Sequence, residues 1–336
     1  MSEKFVAAVV QDCAAVFDRE ATLDKVSRLT AEAGKLGARV IVFPEAFVSG
    51  YPKGLDFGAR IGSRRSEGRD DFRRYFESAI DVPGPDCDAI GAAAKQAKAH
   101  LVIGVIERDG GTLYCTILFF APDGSLLGKH RKLMPTAMER LVWGFGDGST
   151  MPVFDTEVGR MGAVICWENY MPLMRTAMYA KQIQLYCAPT ADDRDSWAPS
   201  MIHVALEGRC YVLSACQYLT RADCPATYDS IHGDDPDTVL MRGGSCIVSP
   251  LGQLLVGPDF TGPKILTAEI DLGEIARSKY DLDVTGHYAR PDIFQLHVNE
   301  RPMQAVLNYL GESPDDPFGA HEETGESGGD QADAER

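Results

Sequence analysis

Short runs rich in valine and isoleucine alternate with segments of helical spacing along most of this chain, and that alternation restricts it to layered α/β folds. Residues 5–10 form an apolar run of strand type. In residues 22–37, Leu23, Val26, Leu29, Ala33 and Leu36 recur at spacings of three and four, which predicts an amphipathic helix stopped by Gly37. Residues 39–43 are a second buried strand, so the order is β-α-β and a sheet covered by helices follows. A helix over 86–100 and a strand over 101–106 repeat the pattern. Gly110-Gly111 and Asp123-Gly124 then punctuate strands over 112–121 and 125–129, the mark of antiparallel hairpins. The second half follows the same logic, with strands at 184–187, 211–216 and 265–270, helices at 197–209 and 272–279, and a hairpin over 243–256. Two such halves around two packed sheets are the expected architecture. Residues 48–69, carrying Gly50, Pro52, Gly54, Gly58, Gly62 and Gly68, read as a long loop of the functional kind, and 220–238 as a polar insertion.

With 336 residues and 45% hydrophobic content the chain can bury a sizeable core. Its formal net charge of -16 argues against nucleic acid and anionic membrane as partners, since phosphate contacts need clustered Lys and Arg. No signal-type segment and no run of eighteen apolar residues is present, which predicts a cytoplasmic protein. The nine cysteines form no C-x-x-C pair, so neither a disulfide framework nor a structural zinc site is expected, and no metal. Residues 312–336 hold nine acids against one base and read as an acidic, disordered tail; residues 1–311 read as one domain.

Three positions stand out chemically. In GAVICWENY (162–170) an apolar run delivers Cys166 to a strand end, and Pro172 opens a helical stretch over 171–183. A thiol there lies near helix N-terminal amides, which favour a thiolate and can hold an oxyanion. Read alone, a free cysteine in a strand is more commonly buried and inert. Glu45 follows the strand at 39–43, where α/β proteins place function, although taken alone a surface acid capping a strand is the commoner reading. Lys132 lies just beyond a hairpin in His130-Arg131-Lys132 and could be one solvated charge of three. The glycines of WGFGDGS (143–149) are read as an ordered loop near the site rather than a phosphate loop, because no strand-to-helix turn hosts them. Together the three supply a nucleophile, a base and a cation.

The segments around them resemble the nitrilase superfamily, and within it the true nitrilase branch of plant and arylaliphatic type: VIFPEAFVSGYPKG, GKHRKLMPTAMERLVWGFGDGS and GAVICWENYMPLMRTAMYAKQIQLYCAPTADDRDSW, with RGGSCIVSPLGQLLVGP and VTGHYARPDIFQLHVNE further on. The likeness spans residues 4–306. It implies a four-layer α-β-β-α sandwich, a Glu-Lys-Cys triad, no cofactor, and homo-oligomers built on dimers that grow into spirals. Carried over, Cys166 resembles the family's nucleophile, Glu45 its general base and Lys132 its general acid or charge stabiliser. Glu139 resembles a second glutamate that holds the lysine, or is a helix-start acid. Trp167 after the cysteine resembles the nitrile-hydrolysing branch, and its amide is an oxyanion donor candidate. Tyr51, Pro52, Trp143, Pro189 and Thr190 are candidates for substrate contact, each also explicable as packing or turn-making. The expected reaction converts an aliphatic or arylaliphatic nitrile into carboxylic acid and ammonia through a thioimidate and an acyl-enzyme, with amide as a by-product. An amidase, carbamoylase or cyanide-hydrolysing relative using the same triad is the alternative. Apolar Ile293, Phe294, Leu296, Val298 and Val306 mark residues 290–310 as a candidate oligomerisation segment.

Overall fold

The computed structural model describes residues 4–306. Residues up to Pro302 form one compact unit, and those from Met303 onward a second, of which 303–306 are described. The expected tail at 312–336 lies outside the described residues.

The first half of the chain runs β1 (Lys4–Gln11), α1 (Arg19–Lys35), β2 (Ala38–Val42), a small hairpin of β3 (Ala59–Arg60) and β4 (Ser63–Arg64), α2 (Ser66–Ser78), β5 (Ile80–Asp81), α3 (Pro85–Ala97), β6 (His100–Asp109), β7 (Thr112–Phe120) and β8 (Leu126–Arg131). The second runs β9 (Val153–Thr156), β10 (Gly159–Ala163), α4 (Pro172–Ala180), β11 (Leu185–Cys187), α5 (Trp197–Gly208), β12 (Tyr211–Ser214), β13 (Tyr218–Thr220), β14 (Val239–Arg242), β15 (Ser245–Val248), β16 (Leu254–Asp259), β17 (Lys264–Asp271) and α6 (Gly273–Ser278).

Two mixed sheets result. One has the order β17-β1-β2-β6-β7-β8, with β5 beside β6; the other has the order β16-β15-β12-β11-β10-β9. The alternation of side chains along each strand makes the sandwich. Ala7 and Val9 of β1 point into the core between the sheets, with Val40, Val42, Ile117, Met161, Leu185 and Leu213. Ala8 and Val10 point outward under α1 and α3, against Val26, Leu29, Ile90 and Ala94. Val164, Tyr186 and Val212 likewise pack outward on Met174 and Met178 of α4 and on Trp197, Met201 and Val204 of α5. Helices outside and two sheets inside give the four-layer α-β-β-α sandwich. Strands buried on both faces read as continuous apolar runs, which is why they were legible in the sequence.

Three stretches differ from the sequence reading. Residues 48–69 are not wholly loop, because they contain the β3-β4 hairpin and the start of α2. That helix, SEGRDDFRRYFES, is mostly charged and buries Tyr75 as its one large side chain, so apolar periodicity is faint. The insertion at 220–238 is flanked by the paired strands β13 and β14. Between β10 and α4 lies a 3₁₀ turn, Cys166–Tyr170, so Cys166 heads that turn and not the α-helix.

Candidate active site

β2 runs parallel to β6, β6 antiparallel to β7, and β7 antiparallel to β8, so β2 and β8 end on the same side of their sheet. Glu45 follows β2 and Lys132 follows β8. Glu45 is not a surface acid: it is 0% exposed. Its position depends on Gly104 of β6, where an added Cβ would lie 2.3 Å from the Pro44 carbonyl oxygen and 2.7 Å from the Glu45 Cα. The missing side chain lets residues 44–46 lie on the strand, tied by Phe47 N–H to Gly104 O at 2.8 Å.

Lys132 continues the β7-β8 pairing by one residue, its N–H donating to Cys115 O at 2.8 Å, and its side chain turns inward to complete burial. The Nζ donates to Glu45 Oε1 at 2.6 Å and to Glu139 Oε2 at 2.8 Å. It is therefore not a solvated charge. Within the 3₁₀ turn Ala137–Leu141 Glu139 accepts the Thr136 N–H at 2.6 Å through the same oxygen that meets Lys132 Nζ. Its other oxygen accepts the Tyr51 hydroxyl at 2.7 Å. Trp143 is buried beside this cluster, its ring 5.4 Å from Lys132 Nζ and 5.8 Å from the Tyr51 ring. The glycines around it serve close approach: Gly146 donates its N–H to Lys132 O at 2.8 Å, and a Cβ there would lie 2.3 Å from Arg131 O.

Cys166 belongs to the other sheet, past the end of β10, with φ 49°, a left-handed conformation costly for a side-chain-bearing residue. Three bonds hold it there. Its N–H donates to Pro189 O at 2.8 Å, and the Asn169 side-chain amide donates to Val164 O at 3.0 Å and Cys166 O at 2.8 Å. Thr190 Oγ1 lies 3.2 Å from Cys166 Sγ.

The thiol opens into a cavity of about 190 Å³ lined by Tyr51, Lys53, Glu139, Trp167, Asp192 and Arg194, among others. Tyr51, Lys53, Thr136 and Glu139 also line a neighbouring cavity of about 360 Å³ that is walled by Leu55, Phe57, Met138, Leu141, Val142 and Ile231. Pro52 is part of that second wall. Trp167 is 42% exposed; its indole N–H donates to Asp192 Oδ2 at 2.8 Å and the Arg194 guanidinium stacks on its ring. Tyr51 and Trp167 thus face the cavities, whereas Trp143 lies beside Lys132, and Pro189 and Thr190 meet Cys166 from behind.

Burial, reinforced by the Glu45 charge and opposed by Lys132, pushes the Cys166 thiol well above its ordinary pKa. That corrects the expectation of a helix-stabilised thiolate: the buried neutral thiol needs a base. Burial also raises the Glu45 carboxyl, Lys132 opposes this and Glu139 adds to it, so Glu45 is a stronger base than an ordinary carboxylate. Burial opposes the Lys132 ammonium, but the Glu45 and Glu139 carboxylates beside it hold its pKa well above the ordinary value. The arrangement is a neutral nucleophile, a basic carboxylate and an ammonium with one N–H left over from its two carboxylate bonds. Among the described residues no group of three or more His, Cys, Asp and Glu side chains is placed to hold a metal ion.

Sequence reasoning missed three buried groups. Cys115 Sγ lies 3.5 Å from Glu45 Oε1. Glu168 and His130 pair at 3.0 Å with both side chains 0% exposed. None has a motif of its own: Glu168 follows the largely apolar stretch 162–167, whereas His130 sits among Lys129, Arg131 and Lys132.

A sequence family described as carbon-nitrogen hydrolase matches residues 6–280. The aliphatic nitrilase of Sinorhizobium fredii is 61% identical over 304 residues, 90% of this chain and 98% of that protein. A bifunctional nitrilase/nitrile hydratase of Lupinus angustifolius is 56% identical over 305 residues, 89% of this chain and 87% of its own length. Among solved structures, a carbon-nitrogen hydrolase from Helicobacter pylori superposes with a TM-score of 0.65 at 21% identity, covering 82% of this chain and 92% of that one, a likeness of fold.

Proposed function

The chain belongs to the carbon-nitrogen hydrolase family, and on that premise we propose that it hydrolyses organic nitriles, aliphatic or arylaliphatic, to carboxylic acid and ammonia. The observation that carries the reading is Lys132 Nζ bridging Glu45 and Glu139 at 2.6 and 2.8 Å, with Glu139 lining the same cavity as Cys166. A nitrile carbon is electrophilic but its nitrogen must gain a proton as sulfur attacks. This cluster has a base for the thiol and an acid for the nitrogen.

In this reading Glu45 takes the Cys166 proton while Sγ bonds to the nitrile carbon, and the nitrogen is protonated through Lys132, giving a thioimidate. Water, deprotonated by Glu45, adds to that carbon. Loss of ammonia leaves an acyl-enzyme, and a second water releases the acid and restores the thiol, so two waters are consumed per nitrile. Loss of sulfur from the tetrahedral intermediate instead gives amide, an outcome in keeping with the bifunctional naming of the lupin relative. General acid-base assistance of this kind contributes about two to four orders of magnitude per step. The Cys166 and Glu168 N–H groups are taken by Pro189 O and Ile165 O, so the Trp167 N–H between them is the elbow amide assigned to the charge on the attacked group. Tyr51 and Trp167 contact substrate, whose apolar body extends toward Leu55, Phe57 and Met138. Trp143, Pro189 and Thr190 hold the reacting groups in place.

A cytoplasmic setting suits nine cysteines that are all free and buried, and no described helix is long and apolar enough to cross a membrane. We assign a homo-oligomeric assembly on the exposed apolar residues of the C-terminal segment, Ile293, Phe294, Leu296, Val298 and Val306.

The test is ammonia release from an arylacetonitrile, an aliphatic nitrile, benzonitrile, cyanide and the matching amides. Acid and ammonia from an organic nitrile support the reading, whereas turnover of amides or cyanide alone moves the chain to the amide- or cyanide-hydrolysing relatives. Cys166→Ala and Cys166→Ser are expected to abolish turnover with the fold intact by circular dichroism; sustained hydrolysis by either rejects Cys166 as nucleophile.

A further inference from the structure

The buried pair His130 and Glu168 touches neither cavity, yet it connects the two sheets that carry the reacting groups. Glu168 Oε1 accepts the Leu133 N–H at 2.6 Å, and Oε2 accepts the Ile165 N–H at 2.8 Å. Leu133 is the residue after Lys132, and Ile165 is the residue before Cys166. One carboxylate thus holds the backbone on either side of the lysine-to-cysteine gap. Both peptide N–H groups lie beyond the regular ladders of β8 and β10, so they have no strand partner there.

His130 completes the tie. Its Nδ1 lies 2.5 Å from Thr150 O and its Nε2 3.0 Å from Glu168 Oε2. Both ring nitrogens face acceptors, and a carbonyl oxygen can only accept, so Nδ1 carries a proton. Nε2 faces the Glu168 oxygen that also accepts the Ile165 N–H. Burial opposes a charge on the ring, but Glu168, the hydrogen bond to it and the Thr150 carbonyl raise the imidazole above its ordinary pKa, with Lys181 weakly opposing. A buried ion pair is seldom a net gain in stability over apolar packing, which leaves geometric constraint as its use.

We infer that His130 and Glu168 are positioning residues that fix the separation of Lys132 and Cys166 across the inter-sheet gap. This rests on the reading of Cys166 as nucleophile and Lys132 as acid. Removing the tie displaces one reacting group relative to the other while leaving both cavities, and so substrate affinity, in place.

The experiment compares Glu168→Gln, His130→Gln and Cys166→Ala on a hydrolysed nitrile, with iodoacetamide labelling of Cys166 as a second readout. Gln at 168 keeps one acceptor oxygen but turns an amide NH₂ toward the other backbone donor. The expected result is a fall in kcat of about 100-fold with KM within about twofold, the size that sub-ångström to ångström misplacement produces. His130→Gln retains the carboxylate and is expected to fall less. Labelling should slow in both, because the thiol is no longer seated against its base. A folded Glu168→Gln enzyme with kcat within twofold of wild type overturns the inference. So does failure of both variants to fold, which would make the pair a requirement of the fold alone; if only Glu168→Gln fails to fold, His130→Gln decides by the same criterion. Cys166→Ala separates the two readings: if it stays active the active-site assignment itself falls, and if it is inactive the outcome for Glu168 bears on positioning.

Discussion

A single carboxylate, Glu139, links three neighbours, Lys132, Tyr51 and the Thr136 N–H, and its charge also acts on Glu45. Glu45 can take a proton only when ionised, so activity is lost as pH falls through its folded pKa. Burial and the Glu139 charge both push that pKa above the ordinary value of 4.5, while Lys132 pulls it down. The acid limb of kcat/KM is therefore expected above pH 4.5. In Glu139→Gln one of the two raising causes is gone, so the limb should move to lower pH even as kcat falls. A limb that stays or moves upward would show that Glu139 does not act on the base. The same cluster shows why residue roles were only partly legible. Glu45, Lys132 and Cys166 were found as residue types at strand ends, but their burial and the neutrality of the thiol depend on a core assembled from both sheets. Cys115 and the His130–Glu168 pair gave no motif of their own.

At the scale of elements, the site depends on strand ends brought close by absent side chains. Gly104 is the clearest case, since a Cβ there would meet Pro44 O at 2.3 Å and Ala46 N at 2.6 Å, both backbone atoms that cannot rotate away. Gly104→Ala is expected to cost about 1 to 3 kcal/mol, the usual range for overpacking a close contact, read from urea unfolding. It should also lower kcat, because the segment pushed off β6 is the one that carries Glu45; full activity with lowered stability would show that Glu45 is placed by something else. Most strands and the helices α1, α3 and α5 were readable, since apolar alternation and spacing record burial directly. The charged helix α2, the short strand β9 and the 3₁₀ turn at Cys166 were not. Their conformations are set by neighbours and by capping groups such as Glu168 and Asn169, whose partners lie up to 38 positions away in sequence or in turns too short for periodicity.

Over the whole molecule the chain is strongly acidic, at -16, and half of that charge resides in residues 312–336, which hold nine acids and one base. Like charges at this density oppose the approach of identical chains, yet the described surface presents large apolar residues close together in sequence: Ile293 is 57% and Phe294 78% exposed, with Leu296 and Val298 following. These are the side chains that the proposed assembly would bury. If a second copy covers them, Ile293→Asp with Phe294→Asp should place two charges in that contact and shift sedimentation to smaller species. Deletion of 312–336 removes eight net negative charges and, of bulky apolar residues, only Phe318, so it should leave particle size unchanged or larger. Unchanged sedimentation of the double variant would remove these residues from the interface, whereas collapse after the tail deletion would place the assembly contact in the acidic segment. Turnover of the double variant separates assembly from chemistry. Glu45, Lys132 and Cys166 lie within one chain, so activity that survives in the smaller species would show a self-sufficient site, and activity lost with assembly would show that a neighbouring copy steadies the cavity walls around Tyr51 and Met138.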